Sequence, residues 1–280
     1  MISIITAIHN QIAVNKLFFD ALHRHTRLPF ELIIVDNDST DGSREFFESV
    51  GAQVIKNDGN YSYPYCQNQG IRAARYEVLA FLNNDIIVPP GWDQNFLAVM
   101  EQHQLEVVTS CGIECLETDT RTRQFKRRWK WIKNIIGLFS QSESALRLMH
   151  RLMYGDWEAF AQRRLETHAH SIREGFVGNT VVIKRSAFDK IGLWDERIMG
   201  ADFDLFLRCQ KRHQENGDIK PVHIAFGIFV HHFIRMTIKS QRPVFKDAAQ
   251  LISLEEKWGI QKVATCQKQL KTLRETRPSI

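Results

Sequence analysis

Four stretches of this chain gather side chains able to move protons, hold cations or hydrogen-bond a polar ligand. FLNND (81–85) ends an apolar run in two amides and a carboxylate, where a Gly or Pro turn is the usual stop. Asn83 and Asp85 are two residues apart and so point to one side of an extended chain. IIVDNDSTDGS (33–43) ends a second apolar run in Asp36, with Asp38 and Asp41 close behind. GADFDLFLR (200–208) sets Asp202 and Asp204 at the head of a segment whose Phe203, Phe206 and Leu207 share one helical face. VHHF (230–233) places His231 beside His232, and adjacent strand residues point to opposite faces, so one of the two at most serves a given site. Each stretch also has a plainer reading. Asp, Ser and Thr favour turns and helix caps, and a histidine can simply pack. HAH (168–170) resembles a ligand pair without an evident partner.

These residues fall where strands end. ISIITAI, FELIIVD, AQVIKN and EVLAFLN read as strands, and VNKLFFDALHRH, STDGSREFFES and YPYCQNQGIRAARY as the helices between them. That order predicts a parallel, doubly wound α/β sheet, whose ligands bind at the carboxyl ends of its strands. Residues 121–174 break the pattern with helical periodicity, in Trp129, Ile132, Ile135, Ile136 and Phe139 and then in Leu148, Met149, Leu152 and Met153. The α/β pattern resumes at GNTVVIKRSAF and runs to VHIAFGIFVHHF, and two polar helices close the chain.

The 280 residues suit one large domain or one domain with an appendage. No apolar run approaches the length of a membrane span, and Met1 leads straight into a strand with no basic leader, so a cytoplasmic protein is expected. Five scattered cysteines without CxxC pairs suggest reduced thiols rather than zinc ligands. The net charge of +5 is local: RTRQFKRRWKWIK (121–133) alone carries seven Lys/Arg and no acid, which leaves the rest of the chain at −2. Two readings of that segment stay open. One is an interfacial helix lying on anionic lipid through 121–139, the other an amphipathic cover with solvated charges. Nucleic acid is not expected as a partner, because no recognised binding fold accompanies the patch.

IIVDNDSTDGS, NQGIRAARYEVLAFLNND, GNTVVIKRSAFDKIGLWDERI, GADFDLFLR and VHHF occur in one order, over about Ile2 to Thr237. Together they resemble the GT-A-fold glycosyltransferases of family 2, in particular the rhamnosyltransferase-like branch that builds bacterial surface polysaccharides. The resemblance implies a GT-A domain over 1–240, with a nucleotide-binding half at 1–105, a helical insertion at 121–174 and an acceptor half at 175–240. The C-terminal helices then fill 241–280. It implies that Asp36 reads the uracil N–H, that Ala7 and His9 meet the base, and that Asn68 lies beside the nucleotide. Asn83 and Asp85 fall in the family's DXD motif, so that Asp85, with His232 or else His231, holds Mn²⁺ or Mg²⁺ and Asn83 binds ribose or a metal-bound water. Asp202 is implied as the catalytic base of an inverting transfer, with Asp204 the second choice. Two departures stand out: Asn83 replaces the first motif Asp, and Ala201 replaces a Glu. The expected activity moves a sugar from a nucleotide-sugar donor, UDP favoured, to a glycan or lipid-linked glycan acceptor, at the inner face of the membrane if the basic helix docks there. A nucleotidyltransferase is the alternative enzyme, although no Gly-rich basic loop follows the first strand. A degenerate nucleotide-sugar-binding module is the non-enzyme alternative.

Overall fold

Runs of Ile, Val and Leu build four parallel strands, β1 (Ile2–Ile8), β2 (Phe30–Asp36), β3 (Gln53–Lys56) and β4 (Val78–Leu82), in the order β3-β2-β1-β4. β1 and β2 are buried on both faces, which is why they read as unbroken apolar runs rather than alternating ones. The computed structural model describes residues 1–234 and 244–275. The expected boundary at 240/241 lies outside the described residues.

Helices α1 (Ile12–His25), α2 (Ser43–Ser49) and α3 (Tyr63–Ala73) make the crossovers. On α1, Val14, Leu17, Phe18, Ala21 and Leu22 recur at helical spacing and face the sheet. On α3, Gly70 lies so close to β1 that a Cβ there would meet Ile5 Cγ2 at 2.2 Å, so its place is fixed by helix–sheet approach.

The sheet is not parallel throughout, as the alternating pattern predicted. β8 (Thr180–Lys184) lies antiparallel between β4 and β6 (Val107–Gly112). β9 (His223–His232) runs parallel to β6, while β5 (Ile86–Ile87) and β7 (Ile172–Glu174) run against β9. The physical reason is the route: β8 is entered from a long helical excursion rather than from a single right-handed crossover, so it returns against its neighbours. Short α4 (Trp92–Gln102) covers the edge near β6 and β9.

The excursion holds α5 (Asp119–Ile136), α6 (Glu143–Tyr154) and α7 (Trp157–His168). Thr118, Ser142 and Asp156 cap them, each side-chain oxygen accepting from a first-turn amide. Then follow α8 (Ala187–Ile191), α9 (Ala201–Asn216), α10 (Leu254–Trp258) and α11 (Ile260–Glu275). Apolar clusters cover both faces of the sheet, Ile4 and Ile34 pointing one way and Ile5 and Ile33 the other. All five cysteines are free and buried, and burial pushes the Cys66, Cys111 and Cys209 thiols up to about 12. Among the described residues no helix is long and apolar enough to cross a membrane.

Candidate active site at the carboxyl ends of the strands

Because β1, β2 and β4 are parallel, their carboxyl ends bring Ala7, His9, Asp36 and Asn83 to one rim of the sheet. Asp36 is fully buried there. Its carboxylate accepts from Arg44 Nε at 2.6 Å and from the Ser39 amide at 3.2 Å. The neighbouring Asp41 accepts from the Ile12 amide at 2.8 Å and so tethers the start of α1. His9 is half-buried and donates from Nδ1 to the Asn37 carbonyl at 2.6 Å. Asn68 corrects an expectation. Its amide is committed inside the protein, donating to the Trp194 carbonyl and to Glu196 Oε1 at 2.8 Å each and accepting from the Trp194 amide. It pins the 194–196 loop rather than facing a ligand.

Beside this rim opens a cavity of about 380 Å³ lined by Asn83, Glu114, Asn179, Asp202 and His232, among others. The pairing of β5 with β9 sets Ile86 opposite His232 and thereby brings Asp85 alongside. His232 Nε2 lies 3.1 Å from Asp85 Oδ2, and its Nδ1 is hydrogen-bonded to Glu114. Burial opposes charge on this ring, but the two carboxylates prevail and raise its pKa well above the ordinary value. His231 points the other way, which corrects its place among candidate ligands. It is wholly buried, bonded through Nδ1 to Tyr154 Oη at 2.8 Å and boxed by Trp129 and Phe233. Burial drives its pKa well below the ordinary value, so it is neutral.

Across the cavity, Asp202 stands in the first turn of α9. A Cβ on Gly178 would come within 1.7 Å of Asp202 Oδ2, so this carboxylate seats against the 176–179 backbone only because residue 178 is glycine. Protein atoms enclose the carboxylate while the residue keeps surface toward the cavity. That burial raises its pKa, outweighing its own amide and that of Phe203. The favourable field of the helix N-terminus therefore does not offset the desolvation. Asp204 is corrected as a candidate base. It is buried and fully engaged, with Lys257 Nζ at 2.6 Å and Trp258 Nε1 and Arg208 Nε at 2.8 Å each. Those contacts lock α9 to α10.

The sequence motifs missed Glu114, and they included Gly178 at the start of GNTVVIKRSAF without giving it a role. Glu114 lies two residues beyond β6, and that strand's carboxyl end was the one available signal.

The family model described as glycosyl transferase family 2 matches residues 3–192. The chain belongs to this family. It is 29% identical over 126 residues to the uncharacterized glycosyltransferase EpsJ of Bacillus subtilis (strain 168), covering 44% of this chain and 36% of that protein. It is also 29% identical over 105 residues to validoxylamine A glucosyltransferase of Streptomyces hygroscopicus subsp. limoneus, covering 35% of this chain and 23% of that one. The chain thus matches about a third or less of the length of these relatives. Among solved structures, S. aureus TarS 1–349 aligns with a TM-score of 0.50 at 13% identity, over 82% of this chain and 60% of that one. Its complex with UDP aligns at 0.51 and 14% identity, with the same coverage. Likeness at this identity concerns the fold alone, and that fold is GT-A.

A divalent cation is what the family resemblance implies for this family 2 chain. Among the described residues no three His, Cys, Asp or Glu side chains converge on one centre. The His232 ring instead separates Asp85 from Glu114. The donors fit the group once Nε2 gives up the proton it shares with Asp85: a carboxylate oxygen and an imidazole nitrogen are 3.1 Å apart, and Glu114 Oε2 is buried with no partner. A hard cation bound there would draw its remaining oxygens from a diphosphate and water.

Proposed function

We propose that this family 2 chain transfers a sugar, with inversion, from a nucleotide-sugar donor to a glycan hydroxyl. The observation that carries the reading is one cavity with Asp202 on one wall and His232, backed by Asp85, on the other. UDP is the favoured nucleotide because Asp36, its carboxylate held by Arg44 and the Ser39 amide, ends β2 where the family resemblance puts the base, and TarS, of the same fold, has a complex with UDP. Residues 1–105 form the donor half and 175–240 the acceptor half in this reading, and a bacterial surface glycan is the acceptor class that the sequence motifs imply.

The acceptor hydroxyl gives its proton to an Asp202 carboxylate oxygen while its own oxygen attacks the anomeric carbon. The bond from that carbon to the diphosphate breaks on the opposite face, which inverts the configuration. The raised pKa of Asp202 suits this work, since a base is most effective when its pKa approaches the working pH. Asp85 and His232 Nε2, the latter after losing the proton it shares with Asp85, would hold Mn²⁺ or Mg²⁺, with Asn83 beside the ribose or a bound water. The cation supplies positive charge against the departing diphosphate. Glu114, bonded to Nδ1, fixes the ring so that Nε2 faces Asp85.

Asp202→Asn tests the assignment. It should lower transfer by about 10²–10⁴-fold and leave UDP affinity as it was. Near-full activity in that variant would sink the reading.

A further inference from the structure

We infer that the outward face of the α5–α6 hairpin is a docking surface for an anionic lipid bilayer. α5 sends its two tryptophans to opposite fates. Trp129 packs inward against His231 and Phe233, while Trp131 is 66% exposed and Ile135 lies open on the same outer side. Just beyond the helix, Leu138 and Phe139 are 75% and 86% exposed. Leu148 and Leu152, one turn apart on α6, are also open. Arg128 Nη2 donates to the Leu152 carbonyl at 2.7 Å and joins the two helices into one surface.

Of eleven exposed large apolar residues among the described ones, six therefore fall within residues 131–152, a concentration that scattered surface hydrophobics do not produce. The charges match. Residues 121–154 carry nine Lys/Arg and a single acid, Glu143, which is paired with Arg147. The rest of the chain is left at −3. Arg123, Lys126, Arg127 and Lys130 are all exposed on α5.

Cations at headgroup level beside Trp, Leu, Ile and Phe at the acyl boundary are the composition of an interfacial helix. A second copy of this chain is disfavoured as occupant, because face-to-face contact would oppose two strongly positive hairpins. A phosphate backbone would meet the cations and leave the aliphatic side chains unmatched. None of these outward residues lines the transfer cavity, so the inference stands apart from the proposed chemistry.

The test is co-sedimentation of the full chain with vesicles of phosphatidylcholine alone and of phosphatidylcholine mixed with phosphatidylglycerol. Partition onto the mixed vesicles only, weakened by added salt, is expected. Two variants should each lower it by roughly tenfold: Trp131→Ser with Leu138→Ser and Phe139→Ser, and Arg127→Glu with Lys130→Glu. Their unfolding midpoints should match the parent, since all five side chains are exposed. No partition onto anionic vesicles would overturn the inference, as would parent-like partition by both variants. Light scattering that shows a dimer abolished by the triple variant would reassign the face to self-association.

Discussion

His231 and His232 differ in what reaches their ring nitrogens. The inner one meets a phenol and aromatic edges, the outer one two carboxylates. Strand alternation made it legible that a single histidine of the pair would serve, but not which. That choice depends on the Ile86–His232 pairing and on the aromatic box, both contacts between segments far apart in sequence. Glu114 was illegible for a related reason: GIECLE carries no motif, and its meaning appears only once β6 and β9 lie side by side. Its positioning role makes a residue-scale prediction. Glu114→Ala should weaken Mn²⁺ affinity in the presence of UDP by about 10–100-fold, read from the free Mn²⁺ signal by electron paramagnetic resonance. Glu114→Gln, whose amide oxygen can still accept from Nδ1, should recover part of it. Parent-like affinity in the Ala variant would remove the role, whereas absence of Mn²⁺ binding in the parent would count against the metal reading itself.

At the scale of the element, α5 shows how far periodicity goes. The spacing of Trp129, Ile132, Ile135, Ile136 and Phe139 announces a helix with an apolar stripe, and the helix is there. The stripe divides, however, with Trp129 and Ile132 buried and Ile135 open, and the helix stops at Ile136, short of the exposed Phe139. A sequence period fixes an angle around the axis and says nothing about how wide a footprint the neighbouring strand offers. The two tryptophans convert this into measurement. Trp129→Ala should cost about 3–5 kcal/mol of stability by urea unfolding, because it empties a space against His231 and Phe233. Trp131→Ala should stay within about 0.5 kcal/mol. Equal costs would mean that the helix is rotated from the orientation described. α9 divides its acids in the same way, Asp202 toward the cavity and Asp204 toward Lys257 and Trp258. The C-terminal partners of Asp204, Lys257 and Trp258, are 53 and 54 residues downstream, beyond any local pattern.

For the whole molecule, the parallel half of the sheet was readable because each strand there is followed by its own crossover helix. The mixed half was not, since β8 finds its neighbours only after three intervening helices. The enclosed Asp202 ties this architecture to global stability. Its folded pKa is raised, so the fold favours the protonated acid. That contribution is fully present below the ordinary aspartate pKa and is lost as pH rises through the raised value. At neutral pH the charged group thus weighs against folding, and Asp202→Asn should raise the unfolding midpoint while it removes activity. The gain should shrink as pH falls toward about 4, near the ordinary aspartate value. A midpoint that drops at pH 7 would show that the carboxylate stabilises its surroundings. The placement of β8 between β4 and β6 also bears on how the polypeptide is made. On the ribosome, β4 emerges with one apolar edge unsatisfied, and its missing neighbour follows only after roughly 100 further residues, or about 5–20 s of synthesis. Through that interval one edge of VLAFL has no strand partner, and its N–H and C=O groups stay open to pairing with other nascent chains until β8 is made.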